Sequence, residues 1–202
     1  MLDIMPAPPS RQQALDAVRT LLAYIGEDVT RPGILDTPER VVRAWETSWG
    51  AGYRARPPVA DMRRFHMEQD RPLPDQMVVV SDIDFFSTCE HHLAPFFGQA
   101  HIAYIPSPSG LLGLSKFARV VNHFSRRLQM QERLTEDIAN CLQTHLSPDV
   151  AVSLTGIHLC MLTRGVQQPH AKTTTTALRG RFRTEASARA EFLSMVGKGS
   201  SK

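Results

Sequence analysis

The sequence predicts an α+β fold: an antiparallel sheet with helices on one face, preceded by a helical N-terminal arm. Apolar residues recur every three or four positions through the first fifty residues, which is the period of an amphipathic helix. Later stretches rich in β-branched and aromatic residues carry the pattern of strands. Between these strands lie two consecutive helical stripes, so the main part reads strand, strand, helix, helix, strand, strand.

In the arm, Leu15, Val18, Leu21, Leu22 and Ile25 follow Ser10 as a cap, and Gly26 ends the pattern. Asp36-Thr37-Pro38-Glu39 places a capping acid before a first-turn Pro and opens a helix through Val41, Val42 and Trp45, closed by Gly50 and Gly52. Residues 53–74, rich in Arg, Pro and Asp, read as a surface connection. The division expected is arm and connection over 1–75, one main domain over 76–197 and a disordered tail over 198–202.

Strands are expected over residues 77–86 and 99–105, forming an antiparallel pair, with a Pro/Ser/Gly turn over 106–110. Phe117, Val120, Val121 and Phe124 mark one helix, and Leu134, Ile138, Cys141 and Leu142 a second that stops at Ser147-Pro148. Val150, Val152 and Leu154 alternate, and after Gly156 the alternation restarts out of phase with Ile157, Leu159 and Met161. A β-bulge at Gly156 is the expected reason, and it would put His158 and Cys160 on one strand face. A last strand over 173–182 and a short helix around Phe192, Leu193 and Val196 complete the pattern, with no internal repeat.

With 202 residues of which 42% are hydrophobic, the chain can bury a core and is not a disordered one. The net charge of +3, from 23 basic and 20 acidic side chains, suits a phosphorylated ligand without demanding nucleic acid. Interleaved aromatic and basic residues are lacking, so no nucleic-acid partner is expected. No stretch approaches the roughly 20 apolar residues of a membrane span, because Met77-Val78-Val79-Val80 is closed at once by Ser81-Asp82. An early acid and several prolines stand where a secretory signal needs a basic start and an apolar run, so a cytoplasmic protein is expected. In a reducing compartment its three cysteines are ligands, nucleophiles or core residues rather than disulfides.

The chemistry concentrates in Cys89-Glu90-His91-His92, where Cys89 and His92 have the C-x2-H spacing that lets a tight turn offer two ligands to one metal. Cys160 as a third ligand leaves a tetrahedral position for water, the mark of a catalytic zinc site, and His91 and His158 remain for proton transfer. A single Cys or His is ordinarily a buried thiol or a satisfied polar group, but two separate Cys/His clusters on polar positions ask for a shared explanation. Cys141 lies on the apolar stripe of its helix and is assigned to the core. Ser115, Lys116 and Arg119 open a helix after Gly113, where free N–H groups and two cations suit phosphates, and Arg164 could add a planar fork. Glu132 begins the second core helix, where an acid is also welcome for structural reasons alone. The run Thr173-Thr174-Thr175-Thr176 reads as an ordinary strand.

In order along the chain stand Leu35-Asp36-Thr37-Pro38-Glu39-Arg40, Ser87-Thr88-Cys89-Glu90-His91-His92, Gly113-Leu114-Ser115-Lys116, Gln131-Glu132-Arg133-Leu134-Thr135, His158-Leu159-Cys160 and Arg164-Gly165. Together they resemble the GTP cyclohydrolase I family from about residue 26 to 193, whereas Cys-x-x-His alone would be a weak signal. The resemblance implies a tunnelling fold (T-fold) in which five subunits close a barrel and two rings stack into a homodecamer, with active sites between subunits. It implies one Zn2+ per subunit held by Cys89, His92 and Cys160. Glu132, with Gln131 beside it, would anchor the guanine of GTP, and Arg40, Lys116, Arg119 and Arg164 would hold the triphosphate. His91 and His158 would move protons and Ser115 would lie near the ribose, as GTP is opened, formate leaves and 7,8-dihydroneopterin triphosphate forms at the start of folate and pterin synthesis. A related tunnelling-fold enzyme, such as the nitrile reductase of deazapurine synthesis, would rely on a catalytic Cys without this metal set.

Overall fold

A computed structural model of the chain describes residues 8–56, 58, 64–65, 76–107 and 110–197. Two compact units, Met1–Ala51 and Gly52–Lys202, divide the chain. In the first unit α1 (Arg11–Tyr24) starts from Ser10, whose hydroxyl accepts from the Gln13 N–H at 3.2 Å while the Gln13 side chain accepts from the Ser10 N–H at 2.8 Å. This reciprocal box satisfies two donors that a helix start leaves free. α2 (Thr37–Ala44) has Pro38 in its first turn and runs into a π-helical turn, Trp45–Trp49. The Arg11 guanidinium donates to both Glu39 oxygens, at 2.9 and 2.5 Å, tying α1 to α2. Asp36 does not cap α2 with its side chain as expected: its backbone is already helical, and its carboxylate pairs instead with Arg40 at 3.2 Å.

The second unit holds β1 (Arg64–Phe65), β2 (Val78–Cys89), β3 (Pro95–Tyr104), β4 (Leu111–Leu112), α3 (Ser115–Ser125), β5 (Leu128–Gln129) and α4 (Gln131–His145). β6 (Val150–His158), α5 (Leu159–Leu162), β7 (Thr173–Leu178), α6 (Arg181–Thr184) and α7 (Ala186–Gly197) follow. The main sheet has the order β5-β2-β3-β6-β7, antiparallel throughout except for the β2–β5 pair, while β1 pairs with β4. From β2 to β7 its main elements run strand, strand, helix, helix, strand, strand, the order the tunnelling fold implies, and α7 follows.

Alternation along the strands decides what each face meets. Phe85, Phe96, Ile102, Val152 and Leu154 pack against Phe117, Val120, Val121, Leu134, Ile138 and Leu142 of α3 and α4, all fully buried. At roughly 1.5–3 kcal/mol for each large side chain taken out of water, this layer is the main stabilising mass of the unit. The expected helices on one face are α3 and α4; α6 and α7 add cover on the opposite face, where Phe182 and Phe192 meet Ala103 and Ala151 at one end of the sheet. Toward the other end of that face Phe86 stays 68% exposed and stacks on Phe97 with ring centroids 6.1 Å apart.

Three local expectations are corrected. The phase change at Gly156 is not a bulge, because β6 stays in register with β3 past that residue, to His158, and with β7 up to it. Gly156 and its partner Gly98 instead permit close approach: a Cβ at 98 would lie 1.9 Å from the Thr155 carbonyl oxygen, and one at 156 would lie 2.6 Å from the Gln131 side-chain oxygen. The sheet's irregularity lies between Val80 and Ile83, where Asp82 takes φ 58° and donates its N–H to His101 Nδ1. The strand ends at His158, so Cys160 sits on the single turn of α5 and does not share a strand face with His158. The last strand stops at Leu178: Gly180 turns the chain at φ 53°, Asp149 accepts from the Arg181 N–H at 2.8 Å, and Phe182 belongs to α6.

Of the expected connection over 53–74, Tyr53 accepts from the Leu128 N–H and Phe65 pairs with Leu111. The rest of that stretch beyond residues 54–56, 58 and 64, and the expected tail over 198–202, lie outside the described residues. No helix among the described residues is long and apolar enough to cross a membrane.

Candidate metal centre and its surroundings

β2 delivers Cys89 into a tight turn that reverses into β3. The Cys89 N–H donates to the Ala94 carbonyl at 2.8 Å and the Leu93 N–H to the Cys89 carbonyl at 2.9 Å, with Leu93 in the left-handed region at φ 53°. A second layer of bonds holds the turn from outside. The Glu90 N–H donates to the Gln129 carbonyl, the Glu90 carboxylate pairs with Arg133, and the Arg133 Nε–H donates to the Gln129 side chain at 2.9 Å. Glu90 is thereby engaged away from the cysteine.

Phe96 of β3 stands opposite His158 of β6, so the end of β6 arrives beside this turn and α5 brings Cys160 over it. Cys160 Sγ lies 3.9 Å from Cys89 Sγ, and these sulfurs and a His92 ring nitrogen all fall within 4.8 Å of one another. Two thiolates bound to one tetrahedral zinc at ~2.3 Å stand about 3.8 Å apart, so the sulfur pair fits such an ion. Two soft sulfurs and an imidazole also suit zinc far better than the oxygen-seeking magnesium or calcium. Burial, and then the neighbouring Cys89 thiol, push the Cys160 thiol up from its ordinary pKa, a strain that a shared cation relieves. Cys89 is buried, Cys160 half-buried and His92 exposed, so the cluster opens to solvent on one side.

The other expected residues fall at different distances from this centre. His91 Nδ1 lies 3.6 Å from Cys89 Sγ, and Arg164 donates from Nη1 to His92 Nε2 at 2.7 Å. His158 lies flat against Phe96, with centroids 4.5 Å apart and planes at 6°, and its Nε2 is 2.9 Å from the Gln131 side-chain oxygen. Burial lowers the His158 pKa, with Glu132 opposing more weakly. Glu132 is exposed in the first turn of α4, whereas Gln131 beside it is buried. Ser115, Lys116 and Arg119 stand at the start of α3, and among the described residues no hydrogen bond or ion pair joins them to the cysteines. Arg40 belongs to the N-terminal unit and pairs there with Asp36. Cys141 is half-buried against the core as expected, its thiol pushed up to about 11 by burial.

Sequence reasoning missed Phe96 as the platform for His158, and Thr135 and Thr175 as partners around Gln131. The available signal was Gly156, whose missing side chain makes room for the Gln131 amide.

A family model described as GTP cyclohydrolase I matches residues 14–197 of the chain. The GTP cyclohydrolase 1 of Deinococcus radiodurans is 46% identical over 193 residues, covering 95% of this chain and 87% of that protein. That of Chlorobium chlorochromatii is 49% identical over 183 residues, covering 90% and 79%. A crystal structure of the archaeosine synthase QueF-Like in the apo form aligns with a TM-score of 0.44 at 17% identity, over 55% of this chain and 97% of that one.

Proposed function

The chain belongs to the GTP cyclohydrolase I family, and we infer that it hydrolytically opens the imidazole ring of GTP, releases formate and rearranges the remainder to 7,8-dihydroneopterin triphosphate. The single observation that carries this reading is the convergence of Cys89, His92 and Cys160 from two separate segments onto one solvent-facing point. These three residues hold the metal, which we take to be one zinc per chain. When bound there, zinc supplies Lewis-acid activation of water at neutral pH.

The remaining work falls to the chain's own side chains. Glu132, exposed at the head of α4, accepts N–H groups of the guanine, and Gln131 supports that end of the pocket from inside the protein. Arg164, close to the metal ligands, joins Lys116, Arg119 and Arg40 in binding the triphosphate, and Ser115 lies at the ribose. The carbon between the two imidazole nitrogens of guanine is a poor electrophile, and protonation of the ring makes it a better one. His158 and His91 hold and move the protons for that activation and for the ring opening, the general acid–base work to which an imidazole is suited. Stacking on Phe96 keeps the His158 ring in one plane while it does so.

The reading includes a decamer of two pentamers with active sites between subunits, in which 1–75 form the arm and connection and 76–197 the catalytic domain of a cytoplasmic enzyme. The exposed Phe86–Phe97 pair supports assembly, because a stacked aromatic pair left in water is surface that a neighbouring subunit can bury.

The decisive assay is incubation of the purified protein with GTP, following formate and the absorbance of the pterin. We expect both products and their loss when a chelator removes the metal. Zinc-loaded protein that yields neither is a metal-binding assembly protein without turnover.

A further inference from the structure

Gln131 has 1% of its surface exposed, yet it bears a primary amide whose groups must all find partners inside the protein. Its Nε2 lies 2.9 Å from the Thr173 carbonyl, 3.2 Å from the Leu154 carbonyl and 3.1 Å from Thr175 Oγ1. Carbonyl oxygens can only accept, so the amide has one permissible orientation: NH2 toward the carbonyls, oxygen toward His158. The hydroxyls agree with it. Thr135 Oγ1 donates to the Gln131 backbone carbonyl at 2.7 Å, so in its 2.6 Å contact with Thr175 it accepts, leaving Thr175 Oγ1 to accept from the Gln131 amide.

The Gln131 oxygen facing His158 Nε2 at 2.9 Å can only accept in its turn, so Nε2 carries a hydrogen and the lone pair of the neutral ring lies on Nδ1. Phe96 fixes the plane of the same ring by parallel stacking. Gly156 is the concession that makes the contact fit, since a methyl group there would come within 2.6 Å of the Gln131 oxygen.

We propose that Gln131 is a positioning residue that acts through His158, fixing its tautomer and ring orientation so that the Nε2–H stays bonded to the buried amide and Nδ1 keeps the free lone pair, and that it does not itself touch the guanine. The logic is that of a buried acceptor behind a catalytic histidine, here supplied by a neutral amide. This inference rests on the cyclohydrolase reading for the reaction it serves, but the tautomer is a property of the folded protein alone.

The test therefore has two arms. In the zinc-loaded wild-type protein with 15N-labelled histidine, the His158 signals, identified by their loss in His158→Asn, are expected to show a protonated Nε2 and an unprotonated Nδ1. The reverse pattern, or an even mixture of tautomers, overturns the proposal whether or not the protein turns over GTP. In the second arm Gln131→Met and Gly156→Ala are each compared with wild type in steady-state turnover of GTP. Both should lower kcat by about tenfold or more, part of the ~10²–10⁴ that a well-placed acid–base group contributes, with KM within threefold of wild type and zinc content unchanged. A raised KM with kcat intact places Gln131 on the substrate and overturns the proposal, as does unchanged turnover in both variants. If either variant fails to fold, the other and the wild-type tautomer still decide. A wild-type protein that releases no formate removes the enzymatic reading while leaving the tautomer result standing.

Discussion

Cys160 reaches Cys89 because one turn of helix after β6 redirects the chain, and the two sulfurs then sit at the separation that a single tetrahedral ion needs. Replacing Cys160 by Ala removes one of the three proposed ligands, and metal analysis of the purified variant should show zinc falling from about one per chain to a small fraction of that. Undiminished zinc would refute the ligand assignment. The residue identities were legible in the sequence, as the two Cys/His clusters carry their own spacing. The backbone that presents them was not: the alternation of Ile157, Leu159 and Met161 fits a continued strand as well as a helical turn, and an apolar period over so few residues does not separate the two.

At the scale of elements the β3–β6 pairing governs the site, because it sets Phe96 against His158 and brings α5 to the β2–β3 turn. That pairing depends on Gly98, where a Cβ would lie 1.9 Å from the Thr155 carbonyl oxygen and 2.8 Å from the Gly156 Cα. Backbone atoms at both contacts cannot swing aside as the end of a side chain can. Gly98→Ala is expected to destabilise the protein by about 1–3 kcal/mol, read as a lower denaturant midpoint, and to reduce turnover as the two strands separate. A variant with the wild-type midpoint would show that the strands tolerate more room than this geometry allows. The helical stripes of α3 and α4 were legible because their apolar positions repeat over several turns. The end of β7 was missed because Thr, Ala and Leu continue a strand pattern, while the turn is dictated by Gly180 at positive φ and its bond network with Asp149.

For the whole molecule, two buried histidines link stability to pH. Burial lowers the pKa of both His101 and His123, aided at His123 by the Arg127 guanidinium, which donates to its Nε2, and opposed at His101 by Asp82. Their folded-state values therefore lie below the ordinary imidazole value of about 6.5 that the unfolded chain retains. In the window below 6.5 the unfolded chain binds more protons, so stability is fully present above that pH and is lost as pH falls toward the folded-state values. Denaturation midpoints at pH 7.5 and pH 5.5 should differ accordingly, and His123→Gln should flatten the difference; an unchanged slope would assign it to other groups. Assembly gives a second whole-molecule expectation. Phe86 is 68% exposed, so Phe86→Asp should leave the subunit folded but shift it in light scattering from a ring-sized particle toward the monomer, with loss of turnover. A variant that remains assembled and active would locate the contact elsewhere.

By itself the sequence determined the α+β class, the order of the main elements, the family and the identity of the candidate metal-ligating residues, because periodicity and motif spacing are local properties of the chain. Only the tertiary structure decided that Gly156 serves close packing, that Phe96 and Gln131 grip His158, and that Cys160 comes from a helical turn. Each of these depends on contacts between residues twenty-five or more positions apart or on where a strand stops, and local pattern does not encode the distance across a packed interior.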